Sequence, residues 1–168
     1  MQQQGEGMGS PRTTLIRVRG ALPTDVTRIR ELCLANDFPQ LAQANFERAS
    51  PHWFIAEDGA EDVVLGALQV ALGLPSSIAE PLLIDRQVLG KKRDVADVIQ
   101  KLALSAMAMS AGYGADFIQF TVPESLVSWA EVLENRGAIR CSTGTIFLKR
   151  VQSDGWQQHN NSSGSASN

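Results

Sequence analysis

The chain has 168 residues, of which 43% are hydrophobic, and a formal net charge of −3. A chain of this length fits one domain with a substantial hydrophobic core, and its slightly acidic balance argues against a general nucleic-acid-binding protein. No apolar run approaches the roughly 18 residues that a membrane helix needs, and the N-terminal segment lacks the apolar stretch of a secretory signal, so we expect a cytoplasmic protein that binds neither nucleic acid nor membrane.

Both ends of the sequence are polar and low in complexity. Residues 1–13 are rich in Gln and Gly, and residues 152–168 are rich in Ser, Asn and Gln. Such segments cannot bury enough apolar surface to offset the entropy lost on ordering. We therefore predict disordered ends on either side of one folded domain that spans residues 14–151.

The first half of this domain predicts a strand, two helices and a hairpin. The stretch TLIRVRGA alternates apolar and polar residues, as a half-exposed strand does. PTDVTRIRELCLANDF has helical spacing, with Thr24 as the expected N-cap and with Ile29, Leu32 and Cys33 on one face. FPQLAQANFERAS predicts a weaker helix, and HWFIAED with EDVVLGALQVALG predicts a hairpin.

The second half alternates strands and helices. IAEPLLIDRQVLG predicts a central strand that ends near Leu89, and the apolar spacing from Val95 to about Ser110 predicts a helix. DFIQFTV predicts a strand, PESLVSWAEVLENRG a helix, and AIRCSTGTIFLKRV a terminal strand or bent pair. The order β-α-α-β-β-β-α-β-α-β predicts an α/β or α+β domain whose sheet is covered by helices on both faces.

Three consecutive basic residues, Lys91, Lys92 and Arg93, precede the third helix. They are either a solvated turn that caps the helix or part of a phosphate-binding site. A helix N-terminus presents free N–H groups and a positive dipole end to an anion, and three adjacent cations repel one another unless an anion is present. Both interpretations remain open from the sequence.

Neither a metal site nor a disulfide is expected. The two histidines lie far apart in sequence without partners at ligand spacing, so no metal site is predicted. The two cysteines, Cys33 and Cys141, have no C-x-x-C spacing, and apolar neighbours favour a small core residue at each position.

Several elements carry a pattern that resembles the GNAT (GCN5-related N-acetyltransferase) family. The family's opening motif R-x-A-x3-D-x3-I-x2-L is reproduced by Arg19, Ala21, Asp25, Ile29 and Leu32. FIAED followed by VVLGALQV resembles the family's second and third strands, and VLENRGA with GTIFLKR resembles its closing helix, glycine and final strand. The resemblance covers about residues 15–150. It implies a single-domain α+β fold with a mixed central sheet whose middle strands splay apart.

The resemblance also implies that acetyl-CoA is bound by the fourth strand and the following helix. The family signature [Q/R]-x-x-G-x-[G/A] lets backbone N–H groups approach the pyrophosphate. By helix phase it matches Lys91, Lys92, Arg93, Asp94, Val95 and Ala96, and we assign Val88 on the preceding segment to the same site. Asp94 replaces the central glycine, and as an N-cap its carboxylate would occupy the N–H groups that a phosphate needs.

The catalytic pattern of the family is only partly present. Many members carry a tyrosine in the last helix that protonates the departing thiolate, and Leu133 occupies that position here. A strand carboxylate beside the cleft could accept the proton of the amine. The candidates are Glu57, Asp58, Glu80 and Asp85, and we choose Asp85 because it is expected to lie nearest the cleft.

Two functions remain compatible with the sequence. The first is an N-acetyltransferase that moves an acetyl group from acetyl-CoA to a primary amine, on a small molecule or a protein, without a metal. The second is a non-catalytic GNAT-like binding or structural module. Small proteins of this kind also occur among bacteriophage gene products, and the polar ends would suit a homo-oligomer or a larger assembly.

Overall fold

A computed structural model describes residues 15–46, 52–90, 92–122, 127–141 and 146–150. The two ends that the sequence predicts to be disordered, 1–13 and 152–168, lie outside the described residues, as does Lys91.

The order of elements follows the sequence prediction, and the last segment forms two strands, the second of the two predicted alternatives. The strands are β1 (Ile16–Gly20), β2 (Trp53–Asp58), β3 (Val64–Ala71), β4 (Ser76–Ile84), β5 (Phe117–Thr121), β6 (Ile139–Arg140) and β7 (Ile146–Arg150). The helices are α1 (Val26–Ala35), α2 (Pro39–Ala42), α3 (Lys92–Tyr113) and α4 (Val127–Asn135), and a 3-10 turn at Pro23–Asp25 precedes α1.

The described strands form one mixed sheet in the order β1-β2-β3-β4-β5-β7-β6. Neighbouring strands are antiparallel except for β4 and β5, which run parallel. The connection between these two parallel strands contains α3, the usual helical crossover between parallel strands. The predicted mixed sheet of an α+β domain is therefore confirmed.

Helices cover both faces of the sheet, because residues within the strands alternate between two hydrophobic clusters. On one face, Leu68 and Ala79 of the sheet pack with residues of α3 and α4. On the other face, Trp53 and Leu83 pack with residues of α1 and with Phe46. The predicted apolar face of α1 is confirmed, since Ile29, Leu32 and Cys33 are all buried there.

The fourth strand and the third helix differ from their predicted limits. Strand β4 ends at Ile84 rather than near Leu89, because the amides of Gln87 and Val88 both donate to Asp85 Oδ1 and fold the chain into a turn. Helix α3 begins at Lys92, before the predicted start, and continues to Tyr113, where Gly114 with a φ of 93° ends it.

Gly66 allows β3, β4 and α3 to approach one another closely. A Cβ atom on this residue would lie 2.8 Å from the carbonyl oxygen of Leu83 and 3.2 Å from Cγ1 of Val98. The close packing of α3 against the middle of the sheet therefore requires the absence of a side chain at this position.

The cysteines differ from each other in environment. Cys33 is fully buried, and burial raises the pKa of its thiol to about 11, which makes it an inert core residue as predicted. Cys141 is exposed, so the prediction of a core position is wrong for this residue. Within the described residues, no helix has the length and apolar character needed to cross a membrane.

An ion pair between the partly exposed Arg19 and the buried Asp25 fixes the start of α1 against the sheet. Arg19 Nη1 donates to Asp25 Oδ2 at 2.7 Å, and Arg19 Nη2 donates to Asp25 Oδ1 at 3.0 Å. The same carboxylate accepts a hydrogen bond from the amide of Leu22 at 2.6 Å. Thr24 therefore does not act as the predicted N-cap, because the chain enters α1 through a 3-10 turn that the Asp25 carboxylate holds. The arginine and aspartate of the opening motif thus have a structural role.

We predict that Asp25→Asn lowers the free energy of unfolding at pH 7 by about 2–3 kcal/mol, because it leaves part of a buried, charge-assisted hydrogen-bond set unmade. The hydrogen bond from Arg19 is the main cause that lowers the pKa of Asp25 below its usual range. The stabilisation is therefore present above the ordinary carboxylate pKa and is lost as the pH falls through the lowered one.

Urea unfolding measured at pH 7 and at steps below pH 5 tests this prediction. The control is Asp62→Asn, because Asp62 also accepts from an arginine, Arg17, but its side chain is 81% exposed. The control should change stability by less than about 0.5 kcal/mol. Equal losses in the two variants, or an unchanged acid dependence in Asp25→Asn, would contradict the structural role of Asp25.

Candidate active site

Strands β4 and β5 separate partway along their length. Their parallel pairing runs from Ser76↔Phe117 to Ala79↔Phe120 and stops there, whereas β4 continues to Ile84. Near this point β4 also contains an irregularity opposite β3: the pair Val70↔Ala79 is followed by Leu68↔Leu82, so β4 has one residue more than β3. The result is a gap in the middle of the sheet.

Among the residues that the structure describes, no strand pairs with β4 beyond Ala79 on the side away from β3. The amide of Asp85, directly after β4, donates to the carbonyl oxygen of Leu65 on β3. Leu65 and Asp85 therefore form a hydrogen-bonded pair of the antiparallel ladder. In an antiparallel ladder such pairs alternate, and the N–H and C=O groups of Ile84 and Leu82 therefore point away from β3, into the gap.

The side chain of Asn36 takes the place of the missing strand at Ile84. Asn36 Nδ2 donates to the carbonyl oxygen of Ile84 at 3.1 Å, and the amide of Ile84 donates to Asn36 Oδ1 at 3.3 Å. This reciprocal pair satisfies backbone groups that would otherwise have no partner in the sheet. These two hydrogen bonds also connect the C-terminal end of α1 to the end of β4.

A cavity of about 360 Å³ opens at the gap on the face covered by α1 and α2; we call it the α1-side cavity. Four of its lining residues are apolar: Phe38, Leu41, Pro81 and Leu82. The other three are Gln69, Glu80 and Thr121. A volume of this size falls within the range typical of small-molecule sites.

Glu80 and Thr121 bridge the two strands where they separate. They directly follow the last paired residues of β4 and β5, and the hydroxyl of Thr121 donates to Glu80 Oε2. The side chain of Glu80 is exposed to solvent, so its carboxylate is accessible from the cavity. A threonine donor holds this carboxylate in one orientation without neutralising its charge.

A second, much smaller cavity lies on the opposite face; we call it the α3-side cavity. Its volume is about 20 Å³, and its walls include Ile99 and Ala103 of α3 and Trp129 and Leu133 of α4. Leu82 and Thr121 line both cavities, so the two lie on either side of the gap between β4 and β5.

The wall formed by α4 contains an unused hydrogen-bond donor. The indole nitrogen Nε1 of Trp129 is buried and has no hydrogen-bond partner among the described residues, although an indole N–H usually finds one when buried. Leu133, at the position where the family resemblance expects tyrosine, lines the same cavity. The sequence analysis did not indicate Trp129, which lies one helical turn earlier on α4.

The N-terminus of α3 lies about two helical turns before this cavity. Helix α3 begins at Lys92, and Ile99 in the cavity wall lies about 10 Å further along the helix axis. The first N–H groups of a helix have no partner within it. Asp94 lies inside this first turn rather than at the predicted N-cap position. Val95 and Ala96 are half-buried in the same part of the helix.

Asp85 has a different environment from the one that the sequence suggested. Its Oδ1 accepts from the amides of Gln87 and Val88 at 2.9 and 3.1 Å, and its Oδ2 accepts from the guanidinium of Arg28. Asp85 is buried and lines neither cavity. Its contacts shape the turn between β4 and α3, in which Val88 is exposed.

Two further candidate bases, Glu57 and Asp58, form hydrogen bonds within the region of the β2–β3 hairpin. Glu57 accepts from Arg17 at 2.8 Å and from Arg19 at 2.9 Å, and Asp58 accepts from the amide of Ala60 at 2.9 Å. Of the four carboxylates considered, Glu80 alone lines the α1-side cavity. A search of the described residues found no group of three or more potential metal ligands.

Comparison with solved structures identifies the fold. An acetyltransferase of the GNAT family from Staphylococcus aureus Mu50 superposes with a TM-score of 0.63 at 13% identity, covering 82% of this chain and 100% of that one. A putative phosphinothricin N-acetyltransferase gives a TM-score of 0.59 at 16% identity, covering 83% and 100% of the two chains.

A third similar structure is N-acetylglutamate synthase from Neisseria gonorrhoeae, solved with coenzyme A and L-arginine. It gives a TM-score of 0.61 at 13% identity, covering 83% of this chain and 34% of that longer one. No protein-family model and no curated protein sequence matches this chain. The chain therefore has a divergent form of the GNAT fold, as the resemblance implied.

We predict that Asp85 and Glu80 differ in their contribution to stability. Asp85→Asn should lower the free energy of unfolding by about 1–3 kcal/mol, because a buried set of charge-assisted hydrogen bonds loses its charge. Glu80→Gln should change stability by less than about 0.5 kcal/mol, because the exposed side chain keeps an acceptor for Thr121. Chemical denaturation of the two variants measures both values. A larger loss for Glu80→Gln than for Asp85→Asn would contradict this division of roles.

Proposed function

We propose that this chain transfers an acetyl group from acetyl-CoA to a primary amine, with the amine in the α1-side cavity and the acyl donor entering from the α3 side. The observation that carries the proposal is that two cavities share lining residues, Leu82 and Thr121, at the break between β4 and β5, with Glu80 in one of them. The similarity to GNAT acetyltransferases supports this assignment.

Several described groups fit the parts of acetyl-CoA. The N–H and C=O of Leu82 point into the gap, where they could pair with an amide of the pantetheine arm as a neighbouring strand would. The indole N–H of Trp129 supplies a further buried donor. The first turn of α3 presents free N–H groups to the pyrophosphate, and Lys91, Lys92 and Arg93 add positive charge beside it. The Neisseria gonorrhoeae synthase was itself solved with coenzyme A.

Glu80 is our candidate for the general base, in place of Asp85. When bound, acetyl-CoA supplies an acetyl group activated as a thioester. Amines are protonated at neutral pH, so an acceptor must lose a proton before its nitrogen can attack. Glu80 can attract the ammonium group and accept its proton directly or through water, while the hydrogen bond from Thr121 fixes the carboxylate.

The α4 wall lacks the acid of many family members, since Leu133 cannot transfer a proton. The N–H of Trp129 can donate a hydrogen bond but does not ionise in this range, so it can stabilise negative charge without acting as an acid. Binding and alignment of the two substrates would then carry most of the rate enhancement.

One observation favours the alternative of a non-catalytic binding or structural module. The α3-side cavity, at about 20 Å³, holds little more than one water molecule, so its side chains would have to move for a pantetheine arm to enter. Asp94 also places negative charge in the helix turn that would receive the pyrophosphate. Direct measurement of acetyl-CoA binding decides between the two functions.

We predict that acetyl-CoA raises the melting temperature of the full-length protein. At a tenfold excess over Kd the gain is about 1.4 kcal/mol, or roughly 3–6 °C for a protein of this size. The shift should shrink with added salt, because the basic cluster contributes screened attraction. Asp94→Gly should enlarge the shift relative to its own unliganded form, because it removes a repelling charge from the first helical turn.

Asp97→Gly is the matched control for this experiment. Asp97 is an exposed aspartate one turn further along α3, so its replacement changes helix propensity without altering the first turn. Its ligand-induced shift should equal that of the wild-type protein. A wild-type protein that ignores millimolar acetyl-CoA would contradict the transferase proposal. A response that appears only in Asp94→Gly would mean that the N-terminus of α3 can bind the pyrophosphate but that Asp94 prevents this in the natural sequence.

We further predict that Glu80→Gln lowers kcat for acetyl transfer by about 10²–10⁴-fold, the usual contribution of a positioned general base. The KM for acetyl-CoA should stay within about twofold, because Glu80 lies on the α1 side of the gap. Release of free thiol from acetyl-CoA in the presence of amines measures both quantities. The exposed Glu131 on α4 provides the control Glu131→Gln, which should retain full activity. Full activity in Glu80→Gln together with loss in Asp85→Asn would restore Asp85 as the base.

A further inference from the structure

We propose that the α1-side cavity selects a small primary amine carried on an apolar, aromatic group, with neither a carboxylate nor a second cation. This inference rests on the proposed acetyl transfer, because it names the class of acceptor at the same site. It follows from the size of the cavity, the nature of its walls and the one charged side chain among the described residues that line it.

The walls and volume of the cavity fit an aromatic ring. Phe38 and Leu41 form one side, Pro81 and Leu82 of β4 form the other, and the side chain of Phe38 is 38% exposed. A cavity of roughly 150 Å³ is enough to bind benzene, so about 360 Å³ holds a ring, a short alkyl link and the reacting amine. Exposed aromatic surface of this kind gains favourable energy by packing against a second ring.

The charge of the cavity fits a single ammonium group. Glu80 is the one ionisable side chain among the described residues that line it, and Gln69 and Thr121 are neutral. A free amino acid would bring its carboxylate beside Glu80 and against apolar walls, which is unfavourable without a cation. A diamine would leave its second ammonium without a carboxylate partner in the described lining.

The arginines of the adjacent helix are engaged elsewhere. Arg28 is paired with Glu31 at 2.7 Å and with Asp85, and Arg30 lies over the ring of Phe46 at 5.6 Å from its centroid. Recruiting either one to an acceptor carboxylate would break an existing contact. Neither arginine is among the described residues that line the α1-side cavity.

The test is acetylation of four acceptors by the full-length protein with acetyl-CoA. These are 2-phenylethylamine, L-phenylalanine, 1,4-diaminobutane and a lysine blocked at both its α-amino and carboxyl groups. L-phenylalanine differs from 2-phenylethylamine by the carboxylate alone, which makes the pair a matched comparison. We expect kcat/KM for 2-phenylethylamine to exceed each of the other three by at least about tenfold.

A cation placed on the apolar wall should reverse this preference. In Leu41→Arg the ratio of kcat/KM for 2-phenylethylamine over L-phenylalanine should fall by at least about tenfold, because the new guanidinium can pair with the carboxylate. Leu34→Arg is the control, since Leu34 is a 59% exposed leucine of α1 outside the cavity lining. It should leave the ratio unchanged.

A binding measurement without acetyl-CoA separates this inference from the transferase proposal. Efficient acetylation of L-phenylalanine, the diamine or the blocked lysine in preference to 2-phenylethylamine would overturn the acceptor class and leave acetyl transfer standing. If no amine is acetylated but 2-phenylethylamine raises the melting temperature of wild type and Leu34→Arg, and not of Leu41→Arg, the cavity assignment stands and the transferase proposal fails. Absence of both acetylation and binding overturns both.

Discussion

The early end of the pairing between β4 and β5 is the constraint on which the rest of the site depends. A strand that loses its neighbour exposes backbone N–H and C=O groups that need other partners. At Ile84 the amide side chain of Asn36 supplies both of them, so α1 becomes attached to the sheet. At Leu82 the same groups point into the gap between the two cavities. One interruption in a ladder thus creates both a structural joint and a place where a ligand with amide groups can pair.

Carboxylates in this structure fall into two groups according to their partners. Asp25 and Asp85 are buried, accept backbone amides and arginine, and hold turns at the beginnings of α1 and of the β4–α3 connection. Glu80 is exposed, and its carboxylate accepts from the neutral hydroxyl of Thr121. A general base must have an oxygen that can contact the amine, and the oxygens of a carboxylate that accepts from arginine and backbone amides are already occupied. The hydrogen-bond partners of each carboxylate, rather than its position along a strand, therefore distinguish the structural residues Asp25 and Asp85 from Glu80, the candidate general base.

The sequence predicted the periodic parts of the fold and misplaced the aperiodic ones. Helical and alternating patterns located every main element, and the buried face of α1 at Ile29 and Leu32 followed from spacing alone. The end of β4 could not be predicted in this way, because the apolar residues Val88 and Leu89 continue the strand pattern. The backbone turns there because the amide of Val88 donates to the side chain of Asp85. That error moved the expected cleft toward Asp85 and away from Glu80. The pairing of Asn36 with Ile84 joins distant residues, and no local pattern could have indicated it.

The observed start of α3 changes the expected effect of Asp94, which replaces the central glycine of the family signature. If Asp94 were the N-cap, its carboxylate would take the amides that a phosphate requires. Because the helix begins at Lys92, Asp94 lies within the first turn, where a negative charge stabilises the helix dipole and competes with a phosphate through charge rather than by occupying its donors. Competition of that kind weakens binding without abolishing it, and adjacent basic residues offset part of it. The aspartate is thus compatible with a working but weaker phosphate site, paired with a more stable helix end.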